Sequence, residues 1–262
     1  MFGIVQRYIC AFLFCAIFLA ACDTGSEAEK HGQQETKNEP APYTPGTLQT
    51  ETGQPSTLPE IEQPDYDRPL SEFEEIRSGN QLMMHHLALS GIPPDYSAIA
   101  EHYSAEYART RDSFRRRDLL QAIQPRIKAD LERAQENPYV LWRQQGSDVI
   151  GHYDFNAAGF PVRVGLFKPR RYSYYPDNRR YRLSIVNGPD YKFVPVSDEV
   201  LAQEIEGQLG KQKFTVEAYL FLRSTDIRQE TVQGELMRVR LLDDDDQVLA
   251  DYGPTSELDN QK

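Results

Sequence analysis

Two hydrophobic periodicities follow one another along this chain of 262 residues, and their order limits the fold more than any other feature. Between residues 70 and 134 apolar positions recur at helical spacing, most regularly from Asp112 to Ala134. After Asn137-Pro138 they alternate with polar positions, as in half-buried strands. Helices first and strands afterwards predict an α+β domain, in which N-terminal helices pack on one face of an antiparallel β-sheet.

Local signals divide these two parts into elements. Leu70, Phe73 and Ile76 begin the helical spacing, and Pro93-Pro94-Asp95 is typical of a helix start. Pro125 should kink or split the long helix. In the second part, residues 156–159 predict a hairpin turn. We expect strands at 149–155, 160–166, 180–187, 191–195, 214–222, 232–242 and 247–252, with a short helix at 198–206.

The composition changes sharply before residue 70. Residues 23–69 are rich in Pro, Gly, Thr, Gln and Glu, and they contain ten acidic and three basic side chains. A segment with so few large apolar side chains cannot offset its ordering entropy, so it predicts a disordered acidic linker. It is either a spacer or a segment that folds on contact with a partner. We therefore expect four regions: residues 1–21, 22–69, a single domain at 70–254, and a flexible tail at 255–262.

The first 21 residues have the pattern of a secretory signal peptide. Arg7 and the amino terminus supply positive charge, and Tyr8 to Ala21 is an apolar run of 14 residues. A bilayer-spanning helix needs about 20 apolar residues, so the run is short for a permanent anchor. An uncleaved signal anchor and an ordinary signal peptide with an incidental Cys22 are the alternatives to the lipid-modified form described next.

Leu19-Ala20-Ala21-Cys22 resembles the lipobox of bacterial lipoproteins. The resemblance implies cleavage before Cys22, a diacylglycerol on its thiol, and acylation of the new amino group by a chain such as palmitate. Two or three acyl chains hold a protein stably on a membrane, whereas one holds it marginally. The other two cysteines, Cys10 and Cys15, would leave with the signal peptide, so the mature chain has no disulfide and depends on an apolar core.

The residue after the lipobox bears on the location. Asp23 resembles the signal that keeps enteric lipoproteins in the inner membrane. Other bacteria use later positions, here Thr24 and Gly25, so the outer membrane stays open. The expected location is the bacterial cell envelope, with the chain lipid-anchored and facing the periplasm.

The rest of the sequence excludes several function classes. A formal net charge of −11 argues against a general nucleic-acid binder. The sequence contains no phosphate loop, dinucleotide fingerprint, nucleophile elbow or HExxH motif, and no cofactor is indicated. The histidines are expected at the surface or core edge rather than at a metal, and adjacent His85 and His86 diverge on a helix. The acidic run 243–246 predicts a solvated hairpin turn or, alternatively, a weak cation site.

The strongest constellation of charged residues is basic. Residues 163–192 contain eight basic and two acidic side chains, interleaved with tyrosines. A turn at Pro176-Asp177-Asn178 should join residues 172–175 to a strand from Arg180 and give a hairpin with an exposed Arg/Tyr face. Arginine binds phosphates and carboxylates bidentately. The candidate anion- or partner-binding residues are Arg163, Lys168, Arg170, Arg171, Tyr172, Arg179, Arg180 and Arg182.

The alternative to a binding site is a solubilising face whose arginines pair with nearby acids, such as those of helix 198–206. A second basic run, residues 109–117, is interpreted as solvated side chains or salt bridges. The stretch from Tyr96 to Tyr252, with DSFRRRDLL and HYDFNAAGFPV, resembles an uncharacterised family of bacterial exported domains. That resemblance implies no activity and no catalytic residues.

Together these patterns predict an envelope lipoprotein with a non-enzymatic binding or assembly-support domain. Its expected partners are the membrane, through the lipid, and an anionic envelope component or an acidic protein, with no nucleic acid. The alternative is a carboxylate-dependent envelope hydrolase acting on glycan or peptide, for which the sequence nominates no residue. A pocket with two convergent carboxylates would favour the hydrolase, and a flat Arg/Tyr face would favour binding.

Overall fold

The computed structural model describes residues 63–253. The predicted signal peptide, Cys22, Asp23, most of the predicted linker and the predicted tail lie outside these residues. The α-helices are α1 Gly79–Ser90, α2 Tyr96–Tyr103, α3 Ala105–Arg109, α4 Ser113–Glu136 and α5 Glu199–Gln208. The strands are β1 Glu74–Glu75, β2 Tyr139–Gly146, β3 Gly159–Pro161, β4 Ser173–Tyr174, β5 Arg182–Ile185, β6 Phe193–Pro195, β7 Phe214–Asp226, β8 Thr231–Leu242 and β9 Val248–Tyr252.

Side-chain caps explain where the helices begin. Ser78 and Gln81 form a reciprocal capping box at the start of α1, and Asp95 caps α2 as its sequence predicts. Asp112 caps α4, which continues through Pro125 as one helix of 24 residues. Helix α1 packs on β7, β8 and β5, while α4 packs on the outside of α1. Within the described residues, none of the helices is both long enough and apolar enough to cross a bilayer.

The main sheet has the strand order β1-β2-β7-β8-β5-β4. Strand β9 pairs with residues 239–242 of β8, and β5 pairs with residues 231–234. The α+β prediction is confirmed, and most pairings are antiparallel. The pairs β1–β2 and β5–β8 are parallel, so the sheet is mixed and the expectation of a purely antiparallel sheet needs this correction. Alternation along a sequence indicates which face a side chain takes, but not the direction of the neighbouring strand.

The long central strand β7 carries two different apolar faces. Val216, Ala218, Leu220 and Leu222 belong to the main core under the helices. Tyr219 and Phe221 point to the other face, as expected for a strand, where side chains alternate. There they form a second cluster with Phe73, Tyr139 and Met237. Sequence alternation predicts the first face correctly and overlooks the second cluster, because Phe73 comes from a distant segment.

The predicted helix around residues 70–76 is wrong. The segment forms a 3-10 turn at Leu70–Glu72 and then strand β1. Phe73 joins the second cluster, whereas Ile76 joins the main core on the opposite side of the sheet. A spacing of three places two residues on one face of a helix but on opposite faces of a strand, and here the sheet edge recruits the segment.

The predicted hairpin between 149–155 and 160–166 forms only in part. The segments meet at two isolated bridges, Ile150 with Val162 and Asp154 with Gly159. Strand β3 pairs instead with β6 in a separate two-stranded sheet. Gly159 is required there, since a Cβ atom would lie 2.3 Å from the carbonyl oxygen of Val194. The close approach of β6 therefore determines the pairing of this segment.

The end of the predicted linker contacts the sheet. The backbone N–H of Asp65 donates to the hydroxyl of Tyr139 over 2.9 Å. The guanidinium of Arg68 lies 4.2 Å from the centre of the same ring. The hydroxyl of Tyr66 donates to Glu235 of β8 over 2.6 Å. Residues 65–68, which the composition places in the linker, thus pack beside the second apolar cluster.

Candidate functional site

The predicted basic hairpin is present. Strand β4 pairs antiparallel with β5, with Ser173 opposite Leu183 and Tyr174 opposite Arg182. Leu183 and Ile185 are buried in the main core, while Arg182 and Ser184 are half-buried on the other face. The alternation predicted for this strand is confirmed, although the strand is shorter than residues 180–187.

The turn after β4 is held by the start of α1. The carboxylate of Asp177 accepts hydrogen bonds from the backbone N–H groups of Gly79, over 2.9 Å, and Asn80, over 3.3 Å. An acidic side chain is favourable at a helix N-terminus, where the N–H groups lack partners within the helix. The hydroxyl of Tyr175 donates to the carbonyl oxygen of Ile76 over 2.6 Å. The hairpin is therefore fixed to the helical layer.

A second turn displays the arginines that precede β4. The N–H of Arg171 donates to the carbonyl oxygen of Lys168 over 3.2 Å, which closes a four-residue turn with Pro169 at its second position. Arg170, at the third position, has φ of 59°. Glycine or asparagine is preferred in that left-handed conformation, and other residues are strained there. Arg170 is exposed, so its side chain is displayed at the tip of this turn.

Tyrosine rings support the arginines of the hairpin. The guanidinium of Arg182 lies 4.7 Å from the ring centre of Tyr172, and that of Arg179 lies 5.7 Å from the ring centre of Tyr174. The two rings are 50% and 47% exposed. Stacking on an aromatic face orients a guanidinium and leaves its N–H groups available to a ligand.

Most of these basic side chains have no acidic partner. Arg180 binds Glu230, with Nε to Oε1 at 2.6 Å. Within residues 63–253, no salt bridge involves the other five bases of this region, Lys168, Arg170, Arg171, Arg179 and Arg182. In the described residues no acid of helix α5, which the solubilising alternative names as a source of partners, forms a salt bridge with this region, and Glu206 of α5 binds His152 over 2.6 Å. We call these five bases, with Tyr172 and Tyr174, the basic surface.

The second basic run shows the opposite behaviour. Arg115 pairs with Glu106 over 2.7 Å, Arg116 with Glu101 over 2.5 Å, and Arg117 with Asp118 over 2.8 Å. Three of the five arginines of this run therefore form salt bridges, whereas Arg109 and Arg111 have none within the described residues, so the run contains both kinds of side chain that the sequence predicts. What distinguishes the basic surface is that five bases without a described salt bridge lie within 15 residues of sequence, beside two exposed tyrosines.

A groove of about 480 Å³ lies beside the basic surface. Trp142 and Gln144 of β2 line one side, and Lys168, Arg171 and Tyr172 line the other. The indole Nε1 of Trp142 donates to Ser173 Oγ over 3.4 Å, so a hydrogen bond joins β2 to β4 at this groove. The lining of the groove thus includes an aromatic side chain and two cations.

Arg163 does not belong to the basic surface. It is exposed in a separate depression of about 220 Å³ that it shares with Gly151 and His152. Seven of the eight candidate residues lie in the 168–182 region, and one of those, Arg180, is neutralised by Glu230. Sequence proximity predicts the grouping but cannot show which charges are paired.

A polar cavity of about 270 Å³ between α1 and α4 is a second candidate. Its lining includes His85, Glu74 and Asp130. The two carboxylates already have partners, because Glu74 accepts from Gln81 over 3.3 Å, and Asp130 accepts from Tyr103 and from Arg133 over 3.1 Å. This cavity is not among the sites predicted from the sequence. The available signal is the spacing of Arg126, Asp130 and Arg133 along one side of α4.

The histidine prediction needs correction. His85 and His86 are buried, since α1 is covered by the sheet on one side and by α4 on the other. Burial lowers the pKa of His85 to about 4 because desolvation disfavours the charged ring, although a hydrogen bond with the backbone of Ala134 opposes the shift. His86 Nδ1 lies 2.8 Å from Thr225 Oγ1, and burial lowers the pKa of this ring too.

No group of three or more His, Cys, Asp or Glu side chains within the described residues is placed to hold a metal ion. The acidic run 243–246 forms the turn between β8 and β9. Asp243 Oδ1 accepts from the N–H groups of Asp245 and Gln247, over 3.0 and 2.8 Å, so this carboxylate stabilises the turn itself.

The structure thus presents one exposed basic surface with a groove beside it, and one polar cavity whose carboxylates already have partners. Comparisons with protein-family models, curated proteins and solved structures found no match to the chain.

Proposed function

We propose that this chain is a lipid-anchored protein of the bacterial cell envelope whose folded domain is a non-enzymatic binding module for an anionic partner. The lipobox at Leu19–Cys22 supports the anchor. The basic surface supports the binding function. Carboxylates and phosphates are the ligand groups that exposed arginines recognise.

The observation that carries this proposal is the set of five unpaired bases in an acidic protein. A chain with 40 acidic and 29 basic residues has enough carboxylates to neutralise them, yet the described salt bridges go elsewhere. The bases lie on two turns and the β4–β5 hairpin, and the turn at residues 176–178 is fixed to α1 by Asp177. The contact of Arg182 with the Tyr172 ring joins the two parts of the basic surface before any ligand arrives. Pre-organised charges lose less conformational entropy on binding.

The structure also identifies the variant that tests this function. Arg170, Arg171, Arg179 and Arg182 are replaced together by Gln, and Arg180 is left intact because it binds Glu230. A matched control removes four positive charges outside residues 163–192 by replacing the exposed Arg109, Arg111, Lys213 and Arg228. These residues have no salt bridge within the described part of the chain.

Both variants are made in the soluble chain that carries Cys22→Ser. Binding to a polyglutamate peptide and to phosphatidylglycerol vesicles is measured over a range of salt concentrations, and the two probes separate a carboxylate ligand from a lipid phosphate. Exposed ion pairs contribute about 0.2–1 kcal/mol each, so the loss of four should weaken binding by about 0.8–4 kcal/mol, which is a decrease of at least about fourfold in affinity. The control should bind like the parent, with the same salt dependence. If the parent, the variant and the control bound both probes equally, the basic surface would be only a solubilising face and the proposed binding function would be overturned.

The anchor is tested separately in cells. Cys22→Ser should prevent lipid attachment and move the protein from the membrane fraction to the soluble periplasm. Asp23→Ser should leave the lipid in place and change only the membrane in which the protein is found. Unchanged processing and fractionation of the Cys22→Ser chain would overturn the lipoprotein assignment.

A further inference from the structure

The outer edge of β2 is only half occupied. Strand β1 pairs with Val140 and Leu141, and the N–H of Ile76 donates to the carbonyl oxygen of Leu141 over 2.9 Å. Beyond that point, residues 142–146 pair with β7 on their inner side only. Within residues 63–253 no strand covers their outer side.

The hydrogen-bond pattern shows which groups face outward. Leu141 directs its carbonyl to β1, whereas Pro138 directs its carbonyl to Leu222 of β7. Because these directions alternate along an antiparallel strand, Arg143 and Gln145 direct their N–H and C=O groups outward. Both residues are exposed. Unpaired main-chain groups of this kind are a template for another extended chain.

The groove of about 480 Å³ runs beside this half of the edge. Trp142 and Gln144 line it from β2, and Lys168 and Arg171 face them. A chain added to β2 would therefore hydrogen-bond through its backbone and place every second side chain near two cations. Neither cation has a described acidic partner, so the charge of the groove favours acidic side chains.

We propose that an extended acidic segment of a partner protein adds to the edge of β2 at residues 142–146. This inference rests on the proposed function and specifies its ligand as a polypeptide. Main-chain hydrogen bonds to Arg143 and Gln145 provide the pairing, and carboxylates near Lys168 and Arg171 provide the selectivity. Five residues of strand cover about 17 Å, so the recognised segment is short.

The same charges disfavour a second copy of this chain on the edge. Arg143 is not one of them, since it pairs with Glu217 over 3.2 Å and with Asp246 over 3.0 Å. An antiparallel β2–β2 contact would bring the Lys168 and Arg171 of both copies towards one interface. Like charges in close juxtaposition oppose association. An acidic segment is attracted to these two cations when its carboxylates lie on the side of the groove, away from Glu217 and Asp246, which pair with Arg143.

The test uses a capped octapeptide of alternating Thr and Glu, and the soluble chain with Cys22→Ser. Gln145→Pro removes an outward N–H without removing a bond to β7, which is the position at which an edge strand tolerates proline. Gln145→Ala is the matched control, because it shortens the side chain but keeps the N–H. We expect at least tenfold weaker peptide binding for the proline variant and little change for the alanine variant.

Amide hydrogen exchange provides the second measurement. Peptide binding should slow exchange at Arg143 and Gln145 in the parent chain, and the amides of the β2–β7 ladder should stay protected in all variants. If ladder protection is lost in Gln145→Pro, the same comparison is made with N-methylated peptide, which cannot donate to the edge. Weak binding of the methylated peptide supports strand addition, and unchanged binding overturns it.

The outcomes separate this inference from the proposed function. If Lys168→Gln with Arg171→Gln weakens binding, but Gln145→Pro and the edge amides do not respond, binding depends on charge alone. Strand addition is then overturned and the proposed function survives. If no variant changes peptide or vesicle binding, both are overturned. If the edge amides are protected without peptide, or if self-association is abolished by Gln145→Pro, the occupant belongs to this chain and the partner assignment is overturned.

Discussion

The guanidinium of Arg182 lies 4.7 Å from the centre of the Tyr172 ring, so a residue of β5 is oriented by a side chain that precedes β4. An exposed cation–π contact contributes about 0.5–1 kcal/mol. Tyr172→Leu should therefore lower the affinity of the soluble chain for polyglutamate about two- to fivefold, although no charge is removed. Tyr172→Phe keeps the aromatic face and is the control. Equal losses in both variants would assign the effect to the hydroxyl group rather than to stacking.

Substitutions of Arg170 should affect stability and binding in different ways. Its φ of 59° is costly for a residue with a Cβ atom and natural for glycine. Arg170→Gly should thus raise the free energy of unfolding by up to about 1 kcal/mol while it weakens binding to polyglutamate. Arg170→Gln should weaken binding to the same extent without the gain in stability. Urea denaturation and titration with polyglutamate measure the two effects, and a destabilised glycine variant would contradict the proposed strain.

Gly79 connects the helical layer to the basic surface. A Cβ atom at this position would lie 2.3 Å from the carbonyl oxygen of Asn178, in the turn that Asp177 fastens to α1. Gly79→Ala should therefore destabilise the fold by about 1–3 kcal/mol, because neither backbone can yield easily.

Gly207 in α5 is the matched control for that substitution. A Cβ atom there meets nothing within 4 Å, and alanine favours a helix by about 0.5–1 kcal/mol. Gly207→Ala should accordingly stabilise the protein in urea denaturation and leave binding to polyglutamate unchanged. If both substitutions changed the free energy of unfolding in the same direction, a clash between Gly79 and the backbone of Asn178 would be contradicted.

Because His85 is buried, we expect the folded state to lose stability at acidic pH. The ordinary pKa of 6.5 applies to the unfolded chain, and burial lowers the pKa in the folded chain to about 4. The unfolded state therefore binds a proton first as the pH falls. Stability is fully present above pH 6.5 and is lost between pH 6.5 and about 4, at roughly 1.4 kcal/mol per pH unit. Burial lowers the pKa of His86 as well, which adds in the same direction.

Denaturation at several pH values tests this prediction. His85→Gln has no titrating ring, so its free energy of unfolding should fall less steeply between pH 6.5 and 4. The exposed His102→Gln is the control and should keep the parent slope. If the stability of the His85 variant fell as steeply with pH as that of the parent chain, groups other than His85 would cause the acid sensitivity.

Local patterns account for much of the domain. Alternation along Phe214–Leu222 predicts which side chains of β7 enter the main core, since a strand places successive residues on opposite faces. Asp95 predicts the start of α2 by the chemistry of its cap. The hairpin of β4 and β5 follows from its turn residues and its alternating arginines. Each of these signals acts over a few residues, which is why one sequence contains it.

Contacts between distant segments account for the differences. The spacing of Leu70, Phe73 and Ile76 indicates a helix, but β2 offers these residues an edge and an apolar face on each side. His85 and His86 look like boundary residues until α4 covers α1. The spacing of apolar residues indicates whether a segment can form an amphipathic helix or strand. It does not indicate which surface of the folded protein the segment will pack against.

The candidate site likewise depends both on local sequence patterns and on contacts between distant segments. The sequence alone determines that residues 168–182 are basic and rich in tyrosine, and that Cys22 follows a lipobox-like tetrapeptide, because both are matters of composition and order. Only the tertiary structure decides that Arg180 is neutralised by Glu230, that five neighbouring bases have no salt bridge within residues 63–253, and that the turn before Arg179 is fastened to α1 by Asp177. Over the same described residues it leaves half of the β2 edge unpaired. Charge pairing and strand pairing depend on distances between segments far apart in the chain, and those distances exist only after folding.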